Sequence, residues 1–116
     1  PPDHHLDWLL GLPTIFRDEA QGLVFVHGGV DPDTFPACGE RVQMWTRRKE
    51  FFDTRCWTAP DLIGQTVVHG HSPTLDSLPD MAADGRRINV DTGAVFGGRL
   101  TAAILVPGAA PRFLHS

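Results

Sequence analysis

Two short apolar runs in this chain end on histidine and glycine. Leu23-Val24-Phe25-Val26 runs into His27-Gly28-Gly29, and Thr66-Val67-Val68 runs into His69-Gly70-His71. Neutral imidazole is the commonest protein ligand for metal ions, and a neighbouring glycine lets backbone approach an ion closely. Two such clusters could bring His27 and His71 to one cation. Read from the pattern alone, each histidine could as well be a buried, hydrogen-bonded structural residue. For His69 that structural reading is preferred, as a strand-end histidine that supports a ligand rather than binding the metal. The cluster Arg47-Arg48-Lys49 could hold one small anion, because a planar guanidinium matches two phosphate oxygens. Taken by itself, Arg47 reads as a solvated arginine on a helix face.

These residues need elements to carry them. Residues 3–12 have helical spacing, with Asp3 as a cap, Leu6, Leu9 and Leu10 on one face, and Gly11 and Pro13 as the stop. A strand is expected over 14–17, then a turn around Ala20-Gln21-Gly22. The run 23–26 reads as a strand buried on both faces. Residues 41–53 form the strongest helix pattern, with Val42, Trp45, Lys49 and Phe52 as its stripe. Further strands are expected over 66–68, 87–90 and 100–106, the last paired by Arg112-Phe113-Leu114. Trp8 and Trp57 read as packing residues. The result is an α/β chain whose polar residues follow strand ends, where open sheets bind ligands.

Composition narrows the classes of function. The 116 residues make one domain at most. A net charge of −4 gives no basic surplus for displacing counterions, which argues against a nucleic-acid partner. No apolar run approaches the roughly 20 residues of a membrane-spanning helix, and no secretory signal pattern is found. The two cysteines, Cys38 and Cys56, fit free thiols in a reducing cytoplasm.

Three segments carry a family resemblance. Phe25-Val26-His27-Gly28-Gly29-Val30-Asp31-Pro32 resembles the His-Gly-Gly segment of phosphoprotein phosphatases. Val67-Val68-His69-Gly70-His71-Ser72-Pro73 is similar to the Gly-His-Thr-Pro segment of their bacterial and phage members and of symmetrical diadenosine tetraphosphatases. The run from Asn89 through Asp91-Thr92-Gly93-Ala94 to Leu100 resembles the closing Asp-Thr-Gly-Ala segment. All three stand in the family's order. The resemblance implies a calcineurin-like metallophosphoesterase, of the serine/threonine phosphatase or tetraphosphatase branch, with half of a four-layer α/β/β/α sandwich of mixed sheets. The whole chain, 1–116, would be the carboxy-terminal part of that single domain.

Position by position, the resemblance makes His27 and His71 ligands of the same ion. Pro73 stands where the wider superfamily has a further ligand histidine. Trp45-Thr46-Arg47 resembles a Trp-x-Arg segment whose arginine grips the substrate phosphate, with Arg48 as the alternative if the register slips by one. Asp91 is expected to hydrogen-bond the loops and orient a ligand histidine rather than bind metal. The implied cofactors are two divalent ions, manganese first, with iron or zinc as options. The implied reaction is phosphoester hydrolysis by a water held between the ions.

The family's Asp-x-His, Gly-Asp-x-x-Asp-Arg and Gly-Asn-His segments, which lie upstream of the histidine matched by His27, are not found in their setting. Asp3-His4-His5, a tripeptide used by another phosphoesterase family, stands on a helical pattern and is set aside. Two imidazoles alone make a poor site for a hard dication, so the chain by itself is expected to be inactive. It is also expected to expose apolar sheet surface and to pair with the missing amino-terminal half or with another copy. The substrate implied is a phosphorylated protein or a small phosphoester. The alternatives are a symmetrical dinucleoside tetraphosphatase and a non-catalytic metal-binding fragment.

Overall fold

A computed structural model describes residues 3–116. Its organising element is a mixed sheet. Among the described residues it has five strands: β1 (Ile15–Asp18), β2 (Leu23–Val26), β3 (Thr66–His69), β4 (Asp80–Met81) and β5 (Arg87–Asn89), in the spatial order β1-β2-β3-β5-β4. The three central strands β2, β3 and β5 run parallel, and the edge strands β1 and β4 pair antiparallel to them. A separate antiparallel hairpin joins β6 (Thr101–Ile104) to β7 (Arg112–His115). The α/β expectation and the hairpin pairing hold.

Parallel pairing explains why the histidine clusters meet. Phe25 lies opposite Val68 and Val68 opposite Ile88. Chain leaving β2, β3 and β5 therefore emerges at one edge of the sheet, carrying His27, Gly70-His71 and Asp91. The loop contact is direct, since the Gly70 amide donates to the His27 carbonyl at 2.8 Å.

The larger core cluster lies on one face of this sheet, while Val68 and Ile88 are buried on the other. In that cluster Val24, Val26 and Val67 pack with Val30, Phe35, Phe51, Trp57 and Leu62. The other face is more open: Leu23 and Phe25 are half-buried, and Phe16 is exposed beside Phe25. The expectation that β2 is buried on both faces is thus met on one face only. Trp57 packs as expected, stacked on Phe51 with its indole N–H donating to the Phe51 carbonyl at 2.8 Å.

Helix α1 (Asp3–Leu10) corrects two expectations. Asp3 sits in its first turn rather than capping it, and none of its residues is buried. Trp8 is 65% exposed and packs no core. The apolar spacing is present, but among the described residues nothing covers it.

The helix expected over 41–53 is two short ones, α2 (Glu40–Trp45) and α3 (Lys49–Phe52). The break has a specific cause. In a continuous helix the Gln43 carbonyl would accept from the amide of residue 47. Here it accepts from Gly28 at 2.6 Å and from Gly29 at 3.3 Å. Thr46 and Arg48 are extended, and the Thr46 hydroxyl accepts from the Arg48 amide. The expected stripe fails as well: Trp45 is exposed, and the residues these helices bury are Gln43 and Phe51. Cys38 and Cys56 are free thiols. No helix among the described residues is long and apolar enough to cross a membrane.

Candidate functional site

His27 follows β2 directly, and its Nε2 lies 3.2 Å from Nδ1 of His71. The two rings are tilted, with centroids 5.0 Å apart. Residues 44 apart in sequence thus place ring nitrogens against each other at the carboxy edge of the sheet. His71 occupies a left-handed conformation, φ 68°, which is uncommon for a residue with a Cβ and concentrates at functional sites. The Ser72 amide donates to the Gly70 carbonyl at 2.8 Å, closing a three-residue turn centred on His71. Partial burial pushes the His71 pKa down, and the neighbouring Arg47 and His27 push it the same way. The direction favours the neutral imidazole, the form that binds metal.

Arg47 lies at the break between α2 and α3. It is exposed, and its Nη2 lies 3.5 Å from the His71 carbonyl oxygen. The expected helix-face position for Arg47 is therefore wrong, because the Gln43 carbonyl is already engaged by the glycine loop. Trp45 stands edge-on to His71, with centroids 5.5 Å apart. Arg48 points elsewhere: it donates to Asp33 at 2.8 Å and to Glu50 at 3.3 Å, with Asp31 3.6 Å away. Three carboxylates leave it little capacity for an anion, and it acts as a brace for the turn that carries Arg47.

Asp91 takes up hydrogen bonds within the loop. Its Oδ1 accepts from the Gly93 amide at 3.1 Å, its own amide donates to Asn89 Oδ1, and its carbonyl accepts from Thr74. Thr92 continues the brace, its hydroxyl donating to the Arg99 carbonyl at 2.6 Å and lying 2.7 Å from that of Thr101. A hollow of about 230 Å³ against this corner is lined by His27, His71, Asp91, Thr92 and Arg99.

A larger cavity, about 790 Å³, lies at the opposite ends of β2 and β3, lined by Leu23, Thr66, Ile88, Leu105 and Val106. It is an apolar gap between the sheet and the hairpin with no histidine in its wall. The histidine pair borders the smaller hollow. Among the described residues, no group of three or more His, Cys, Asp or Glu side chains is arranged to hold a metal ion.

Sequence reasoning missed two participants. Gln43 is buried, bonds the Cys38 carbonyl at 3.1 Å and the Thr14 hydroxyl, and ends α2 through its own carbonyl. Arg87 is buried inside β5 and donates to His69, Asp80 and the Phe52 carbonyl. Arg87 opens the short strand Arg87-Ile88-Asn89 directly after a second arginine, so only its burial shows that it requires partners. No signal in the sequence marked Gln43 either.

The mixed sheet makes the chain mixed α/β, and the likeness that follows gives its fold as metallophosphoesterase-like. A solved structure described as "Crystal structure of a putative diadenosine tetraphosphatase" is similar to this chain, with a TM-score of 0.68 and 25% sequence identity. The match covers 99% of this chain and 55% of that one, so the present sequence spans about half the length of its neighbour. No protein-family model matches the sequence, and no curated protein does.

Proposed function

We propose that this chain supplies part of the active site of a metal-dependent phosphoester hydrolase, as the carboxy-terminal part of one domain. His27 and His71 are two ligands of one divalent ion, and Arg47 binds the substrate phosphate. The observation that carries this reading is the 3.2 Å separation of the two ring nitrogens. Two nitrogens on one ion, each bonded at about 2.0–2.1 Å, stand roughly 2.8–3.4 Å apart between right-angle and tetrahedral geometry. The depressed pKa of His71 fits the same role.

Manganese, iron or zinc at a two-ion centre would supply an activated water and a clamp for phosphoryl oxygens. The chain's own residues bind and orient. His27 and His71 hold the ion, with the turn at His71 aiming its ring. Arg47, unpaired with any carboxylate within 4 Å among the described residues, can offset charge on the equatorial phosphoryl oxygens. The oxygen ligands a hard ion prefers would come from outside this sequence.

The family resemblance implies two substrate classes, a phosphoserine or phosphothreonine protein and a dinucleoside tetraphosphate. The likeness to a diadenosine tetraphosphatase supports the second. Joined to a domain half carrying the missing carboxylates, the chain is expected to hydrolyse diadenosine tetraphosphate in the presence of manganese. Arg47→Ala should lower kcat by roughly 10²-fold. Equal turnover by the Arg47→Ala and His71→Ala variants and the parent would refute the assignment. Faster hydrolysis of a phosphoserine peptide than of the dinucleotide would move it to the protein-phosphatase class.

A further inference from the structure

Behind the histidine pair runs a buried chain of hydrogen bonds that the proposed reaction does not use. Asp80 on β4 accepts from Arg87 Nη2 at 2.6 Å, and Arg87 Nη1 lies 3.0 Å from His69 Nε2. His69 Nδ1 lies 3.1 Å from the Gly70 carbonyl. Arginine is always a donor, so His69 Nε2 must be the acceptor, and its proton must sit on Nδ1, donating to Gly70. The tautomer is dictated by the neighbour. Arg87 is held in turn by the Phe52 carbonyl at 3.2 Å, and the His69 ring sits edge-on between Phe51 and Phe52.

The carbonyl at the end of this chain is the one that closes the turn at His71. It accepts from the Ser72 amide as well as from His69. The same glycine's amide donates to the His27 carbonyl. One peptide segment therefore links the buried network to both imidazoles, at a residue whose left-handed backbone is held against its own preference.

We infer that His69, set by Arg87 and Asp80, is a positioning residue. It locks the Gly70 carbonyl and so holds the strained turn that presents the His71 ring to His27. This rests on the metal-ligand reading of His27 and His71. His69 itself binds no metal: its two ring nitrogens are both engaged inside the fold. Groups that support a metal ligand from behind contribute about 10- to 100-fold in affinity.

The test uses zinc alone as the probe, followed by nitrogen NMR of the imidazole rings, which separates His27 and His71 from the surface histidines. Parent chain, His27→Ala, His69→Phe and Asp80→Asn are compared, each first checked for its thermal transition. The parent should bind zinc through His27 Nε2 and His71 Nδ1, and His27→Ala should lose that site. His69→Phe keeps a ring between Phe51 and Phe52 and is expected to lose at least 10-fold in zinc affinity at this site while folded. Asp80→Asn alters only the half-exposed end of the chain and should lose several-fold without loss of fold.

Zinc affinity equal to the parent's in folded His69→Phe overturns the inference, as does parental affinity in Asp80→Asn should the phenylalanine variant not fold. A parent chain with no zinc shift at either ring overturns the ligand reading itself, and the positioning role with it.

Discussion

At the scale of single residues, His69 carries a stability consequence as well as a positional one. Burial, aided by the charge of Arg87, pushes its pKa down to about 4. Above pH 6.5 the side chain is neutral in both folded and unfolded chains and contributes nothing to the pH dependence. As the pH falls below 6.5, the unfolded chain takes up a proton that the folded chain refuses. Stability therefore declines between pH 6.5 and 4, by about 3 kcal/mol in all. Half-buried His71, with its pKa also lowered, adds in the same sense. Urea unfolding should show about 2 kcal/mol less stability at pH 5 than at pH 7. The His69→Phe variant should show a flatter dependence over that range. A parent chain as stable at pH 5 as at pH 7 would mean the ring is not held neutral.

At the scale of elements, the joint between the His27 loop and α2 is what aligns the two sides of the site. A Cβ at Gly28 would stand 2.9 Å from the Met44 carbonyl carbon and 3.0 Å from the Gln43 oxygen, both backbone atoms. Gly28→Ala must push α2 away or break the 2.6 Å bond to Gln43. The expected cost is about 1–3 kcal/mol, as for overpacking in a filled interior, with altered NMR signals from both His27 and His71. Gly39, just before α2, has open space at its Cβ position and an ordinary φ of −74°. Gly39→Ala should change stability by under about 1 kcal/mol and serves as the matched control. Equal melting temperatures for the two variants would show that the close approach is not structural.

The molecule as a whole exposes more surface than its mass requires. A compact monomer of 12.7 kDa is expected to expose about 6,200 Å², whereas this chain exposes 7467 Å². The excess is apolar in places where a core would ordinarily continue. The face of α1 bearing Leu6, Leu9 and Leu10 is open, as are Phe16, Val95, Phe96 and Leu100. A groove lined by Leu9, Leu12, Phe16, Phe25 and Met44 runs up to His27. A sequence spanning about half of its structural neighbour fits this surface well. Sedimentation at tens of micromolar should show self-association, reversed by adding a complementary domain half. A monodisperse monomer in both samples would count against an unpartnered face.

The pieces of the site were legible in the sequence because they depend on local chemistry. Apolar β-branched runs ending on His27 and His69 read correctly as strands, and Asp91 read correctly as a loop residue after the third. What the sequence by itself determined was therefore which residues stand at strand ends and which donors they offer. Only the tertiary structure decided that three of those strands are parallel neighbours, which brings His27 within 3.2 Å of His71. It also decided where α2 stops, because the Gln43 carbonyl is claimed by amides some 15 residues earlier in the chain, a competition no helical periodicity reveals. Partners of buried polar groups, such as Arg87 and its link to His69, are chosen by proximity in space. That is the physical reason spacing along the chain could suggest the site but not build it.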